Sequence, residues 1–141
     1  MTIILKVTSM IVRVAVLVVL ILGVSFWFNW INTDTNPVLL DIHEIAGMLI
    51  GLGLLLVGTV LITRGGNAGL GIVSIILAVL LPIVGIGQVN WLAGNNDPHW
   101  LIQVGHLALG LGAFALVEIG SSRAQRALAL VARAEKDKGE H

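Results

Sequence analysis

Long apolar runs alternate with short polar breaks along this chain, and the breaks mark out four segments. The first, over residues 10–31, carries no charge from Val14 to Trp30 and follows Lys6 and Arg13. A basic start before an apolar run also marks a signal peptide. Here Phe26-Trp27-Phe28-Asn29-Trp30 puts bulk where cleavage needs small residues, so a retained membrane helix is expected. Asn32-Thr33-Asp34-Thr35-Asn36-Pro37 forms a polar loop. Asn36 stands where it can cap a second helix over 38–63, with Pro37 at its first position. Arg64-Gly65-Gly66-Asn67 reads as a tight turn. The third segment, 68–91, is uncharged. Pro82 is expected to kink it, and Gly85 and Gly87 loosen the same region. Ala93-Gly94-Asn95-Asn96-Asp97-Pro98 repeats the loop pattern, with Asp97 capping and Pro98 opening a fourth helix over 98–120. Residues 121–141 form a basic tail, rich in Ala, Arg and Lys and expected to be partly helical in the aqueous phase.

Each segment meets or nearly meets the roughly 20 apolar residues that cross a bilayer. The breaks are too short for anything but antiparallel neighbours. The expected fold is therefore all-α, an integral membrane four-helix bundle with up-and-down neighbours. Composition agrees. Hydrophobic residues make up 57% of the 141 and charged residues only 11%, against about 25% charged in soluble domains. Cysteine is absent, which excludes disulfides, Cys-ligated zinc, iron–sulfur clusters and covalent haem attachment. Without a basic patch beyond the tail, nucleic acid is excluded as a partner.

Charge sets an orientation. All eight Lys and Arg residues lie before the first apolar run, in the turn between segments two and three, or in the tail. The opposite face carries Asp34, Asp41, Glu44 and Asp97. The positive-inside rule then puts both termini in the cytoplasm of a prokaryotic inner membrane. All four tryptophans, Trp27, Trp30, Trp91 and Trp100, fall at the outer ends of segments and read as half of an aromatic belt.

Within this frame two histidines stand out. A membrane-embedded ionisable residue is costly and calls for a function. His43 comes six residues after Pro37 and His106 eight after Pro98, about 9 and 12 Å below the starts of two parallel helices. Matched depth suits two neutral imidazoles gripping one haem b from opposite sides. Gly47 and Gly51, with Gly58, lie within about 80° of the His43 direction, and Gly110, Ala113 and Gly120 within about 40° of His106. These small-residue faces serve either helix packing or a porphyrin slot. Glu44, Gln88, His99 and Gln103 are candidate quinone or proton contacts near the outer face, where Asn90 also lies; for each, plain interfacial or interhelical pairing is the alternative. Asp41 reads as interfacial. Glu118, near the cytoplasmic end, is expected to meet Arg123 or lipid headgroups.

The stretches His43-Glu44-Ile45-Ala46-Gly47, Leu61-Ile62-Thr63-Arg64, Leu81-Pro82-Ile83-Val84-Gly85-Ile86-Gly87-Gln88-Val89 and Gly105-His106-Leu107-Ala108-Leu109 resemble one four-helix half of the haem A synthase family. Small four-helix cytochrome b-like membrane proteins look similar too. The resemblance covers residues 38–120 and implies haem ligation by His43 and His106. The chain departs from the family in having one half rather than two and no cysteine pair. Leu40 stands where the family has a glutamate, three residues before the helix-2 histidine. The resemblance thus implies the haem-binding architecture without the haem-modifying activity.

The expected function is electron transfer by a single-haem membrane cytochrome b, a subunit of a larger respiratory or photosynthetic complex. Its partners would be lipid, other membrane redox subunits, quinone and an outer-side electron carrier. Two other classes compete: a cofactor-free structural or assembly subunit whose histidines bond between helices, and a small haem- or quinol-modifying enzyme using Glu44 or His99.

Overall fold

The computed structural model describes residues 2–64, 67–87 and 99–139. They form four helices, α1 (Thr2–Trp27), α2 (Pro37–Thr63), α3 (Ala68–Gly87) and α4 (His99–Gly139). All four are long and apolar enough to cross a membrane. Runs rich in Val and Ile are poor helix formers in water. In lipid no solvent satisfies backbone N–H and C=O groups, and the helix satisfies them within one segment.

The helix ends follow local chemistry. Past Trp27 the chain folds back, with Trp30 N–H donating to the Ser25 carbonyl at 2.9 Å. Asn29 takes φ 54° there, a left-handed conformation that asparagine tolerates. Asn32 then organises the loop. Its carbonyl accepts from Asn36 N–H at 3.1 Å and from Asn36 Nδ2 at 3.1 Å, and its Oδ1 accepts from Asp34 N–H at 2.8 Å. Because the Asn36 side chain is turned back into the loop, the side-chain cap expected of it does not form, whereas Pro37 does open α2. Asn67 caps α3 instead, its Oδ1 accepting from Leu70 N–H at 3.2 Å. The α3 helix continues through Pro82 to Gly87. Gln88, Asn90, Trp91 and the Ala93–Pro98 loop, with the expected Asp97 cap, lie outside the described residues.

The helices pack α1 on α2, α2 on α3, α3 on α4 and α4 on α1; α2 also touches α4 across the middle, while α1 and α3 do not meet among the described residues. The interior has two apolar layers. Val12, Val16, Ala46, Ile50, Leu54, Ala113 and Val117 fill the middle of the bundle. Leu5, Val57, Val60, Leu61 and Ala124 close the end that holds the N-terminus. Large apolar side chains such as Leu17, Ile21, Leu52, Ile76 and Val79 are exposed on the outside, the surface a lipid-embedded bundle presents. In lipid, whose tails are as apolar as leucine, helices of this kind are held by close packing rather than by hydrophobic transfer. The α2–α3 seam shows it: a Cβ on Gly58 would stand 2.8 Å from the Gly71 carbonyl oxygen, so backbone meets backbone.

The tail is helical, as expected, but its first turns pack on the bundle. It is one unbroken continuation of α4 to Gly139, and its Ala124 and Leu128 pack on Leu5 and Leu61 instead of standing in solvent.

Candidate functional site

His43 and His106 converge at the end of the bundle away from the termini. His43 lies two turns into α2, and His106 lies seven residues after the start of α4. The direct α2–α4 contact turns both half-buried rings toward the bundle axis, with centroids 6.4 Å apart and planes 44° apart. Each ring rests on a glycine of the preceding helix. A Cβ on Gly23 of α1 would lie 3.2 Å from His43 Cε1, and one on Gly85 of α3 would lie 3.3 Å from His106 Cε1. The two helix pairs thus build the same unit twice. Each has a glycine near the end of its first helix and a histidine in its second, and the two units face each other. Phe26, one turn beyond Gly23, sets its ring edge-on to His43 at 5.7 Å and 64°.

Both histidine Nδ1 atoms are buried without a hydrogen-bond partner. A buried polar atom left unpaired costs free energy; that of His43 lies on the α1 side, 4.0 Å from the Cβ position of Gly23. The spacing fits a metal between the rings. A metal–imidazole bond is about 2.0–2.1 Å, and the ring centre lies roughly 1.2 Å behind its nitrogen, so two such ligands on opposite sides set centroids about 6.4–6.6 Å apart. Among the described residues no group of three or more His, Cys, Asp or Glu side chains could hold a bare ion. His43 and His106 are the side chains that would hold a macrocycle bringing four nitrogen donors of its own.

The other residues singled out in the sequence divide. Gly47 and Gly110, one turn past each histidine, face open space, and a Cβ on either would meet nothing within 4 Å. Gly51 is buried in the α2–α3 seam, 3.4 Å from the Ala78 carbonyl oxygen at its Cβ position. Gly120 packs on Val57 of α2. Asp41 and Glu44 are exposed and Gln103 is half-buried. His99 opens α4; Gln88 lies outside the described residues. Trp27, Trp30 and Trp100 are exposed, and Phe28 stacks between the first two at 6.3 and 5.3 Å.

Glu118 corrects an expectation. Among the described residues it bonds Ser9 and Arg13 rather than Arg123. Antiparallel packing of α1 on α4 brings Ser9 Oγ to its Oε1 at 3.0 Å, and Arg13 clasps it with Nε at 2.8 Å and Nη2 at 2.6 Å. Arg123, five residues on, points about 140° away around the helix.

Sequence reasoning missed Gly23, Phe26 and the role of Gly85. A signal was present: Gly23 precedes His43 by 20 residues and Gly85 precedes His106 by 21. Searches of protein families, curated proteins and solved structures returned no match to this chain.

Proposed function

We propose that this chain is a membrane cytochrome b. It binds one haem b between His43 and His106 near the outer face of a prokaryotic inner membrane, and it transfers electrons as a subunit of a larger respiratory or photosynthetic complex. The observation that carries this reading is the pair of facing imidazoles, centroids 6.4 Å apart, each with an unpartnered Nδ1. The resemblance of the His43 and Gly105-His106 stretches to one half of the haem A synthases supports it.

When bound, haem supplies a one-electron redox couple. The protein's own residues do the rest. His43 and His106 act as neutral ligands. Gly23 and Gly85 give their rings room, and Phe26 walls one of them. The open positions at Gly47 and Gly110 leave space beside the ligands. Fully buried Leu54, Ala113 and Val117 close the bundle beneath, so electrons are exchanged at the histidine end, with a quinone or an outer-side carrier. Glu44, Gln88, His99 and Gln103 are the polar groups that sequence position offers there to a quinone headgroup or a proton. The gathering of all Lys and Arg away from that end supports cytoplasmic termini. A cofactor-free role resting on hydrogen bonds between the histidines is the weaker reading, because neither Nδ1 has a partner. Leu40 in place of a glutamate weighs against haem-modifying chemistry.

The test is an absorption spectrum of the membrane-extracted protein, oxidised and dithionite-reduced. A Soret band with sharpened reduced bands is expected, lost in His43→Ala and in His106→Ala. Protein that stays colourless after haem supplementation overturns the proposal.

A further inference from the structure

At the opposite end of the bundle, Arg13 is only partly engaged. Its Nε and Nη2 donate to the two carboxylate oxygens of Glu118, and the side chain remains 60% exposed. A guanidinium carries five N–H donors, so three are unspent on the outward edge. Among the described residues Glu118 is the one acceptor that the Arg13 guanidinium meets. On a lipid-facing surface neither water nor protein takes up such donors, and an unsatisfied donor in hydrocarbon costs several kcal/mol.

Depth decides what does. Arg13 lies 14 residues before Trp27 at the far end of α1, about 21 Å along a hydrocarbon layer about 30 Å thick. Its Cα is therefore roughly 9 Å inside the nearer membrane edge. Helical side chains lean toward the N-terminus of their helix, and in α1 that direction is toward this edge. The free guanidinium edge therefore lies just under this edge, where long basic side chains snorkel toward the headgroups. Lys6 is exposed and seven residues earlier, on the same stripe to within about 20°. The Arg13–Glu118 pair is neutral, so the excess positive charge on this stripe comes from Lys6.

We propose that the α1–α4 seam is a binding site for an anionic phospholipid of the leaflet on the side of the termini. The phosphodiester accepts from the free edge of Arg13, and Lys6 selects for net negative charge. Glu118 and Ser9 hold the guanidinium in place from behind.

Native mass spectrometry of the intact membrane-extracted protein tests this, with phosphatidylglycerol and phosphatidylcholine at equal mole fraction. One basic group near an anionic lipid is worth about 1 kcal/mol, or roughly fivefold in binding. The wild type is expected to retain phosphatidylglycerol about fivefold over phosphatidylcholine. Lys6→Gln should bring the ratio near one, and Arg13→Gln/Glu118→Gln, which keeps a neutral hydrogen-bonded pair, should abolish retention of both lipids. Helical circular dichroism checks that each variant folds; if the double variant does not, Lys6→Gln carries the test alone. An unchanged ratio in Lys6→Gln overturns the proposal. Displacement of the lipid by millimolar inorganic phosphate overturns the assignment to lipid and points to a soluble phosphate instead.

Discussion

The Cε1 atom of His43 stands 3.2 Å from where a Gly23 side chain would begin, and His106 Cε1 stands 3.3 Å from the same point on Gly85. Each imidazole is thus seated on the backbone of a neighbouring helix, and any side chain at either glycine contests the seat. An added methyl needs only a few tenths of an ångström of movement, so Gly23→Ala and Gly85→Ala should keep a haem spectrum. Gly23→Leu and Gly85→Leu should each displace a ring and remove the Soret band while helical circular dichroism is retained. A full-intensity Soret band in either leucine variant would show that ring seating is not what these glycines provide.

Gly47 and Gly110 give the opposite expectation. Nothing lies within 4 Å of a Cβ at either position, so alanine adds no clash and should raise the stability of the haem-free protein by up to about 0.5–1 kcal/mol by restricting the unfolded backbone. If the open space beside the histidines is the porphyrin slot, the same variants should retain less haem on titration. A stabilised protein with unchanged haem affinity would assign these glycines to the lipid face.

Gly58 and Gly71 bring α2 and α3 into backbone contact, with Cβ positions 2.8 and 2.7 Å from the facing carbonyl oxygens. Backbone cannot step aside as a flexible side chain can. Gly71→Ala should therefore destabilise the bundle by about 1–3 kcal/mol, the usual range for overpacking, as measured by denaturant unfolding in mixed micelles. An unchanged midpoint would mean that the seam relaxes as a rigid body.

The four helices were legible in the sequence because uncharged runs of membrane length have few alternatives, and Pro37 marked a helix start without ambiguity. The histidine pair was legible from depth alone, two residues at matched offsets on parallel helices. Their seats were not. Gly23 sits in an apolar run where a glycine reads as packing or as nothing, and only the α1–α2 crossing turns it toward His43. Asn36 misled because its Nδ2 donates to the Asn32 carbonyl and to Thr35 Oγ1, which turns the side chain away from the helix N–H groups it would cap. Glu118 misled because a local cation in the sequence, Arg123, competed with Arg13, 105 residues away.

The tail was misjudged for a related reason. Its alanines and arginines suggest a solvated helix, yet Ala124 is fully buried and Leu128 packs beside it on Leu5, while Leu130 is 65% exposed. Leu128→Ala should accordingly cost about 1–3 kcal/mol, somewhat below the range for fully buried leucines, and Leu130→Ala should stay within about 0.5 kcal/mol of wild type. Equal effects at the two positions would mean that the tail does not dock on α1.

The Arg13–Glu118 pair tests what surrounds the bundle. With side chains 60% and 29% exposed, such a pair in water would be weak and would fade with salt. If its exposed side faces lipid, counterions cannot reach it. The coupling from a double-mutant cycle of Arg13→Gln and Glu118→Gln should then exceed that of solvated pairs. It should also hold between about 0.05 and 0.5 M salt, over which the screening length in water falls more than threefold. Each single variant leaves one partner charged against an apolar seam, so the double variant should be more stable than the sum of the two single losses implies. A coupling that halves over that salt range would put Arg13 in water and the membrane edge further up α1.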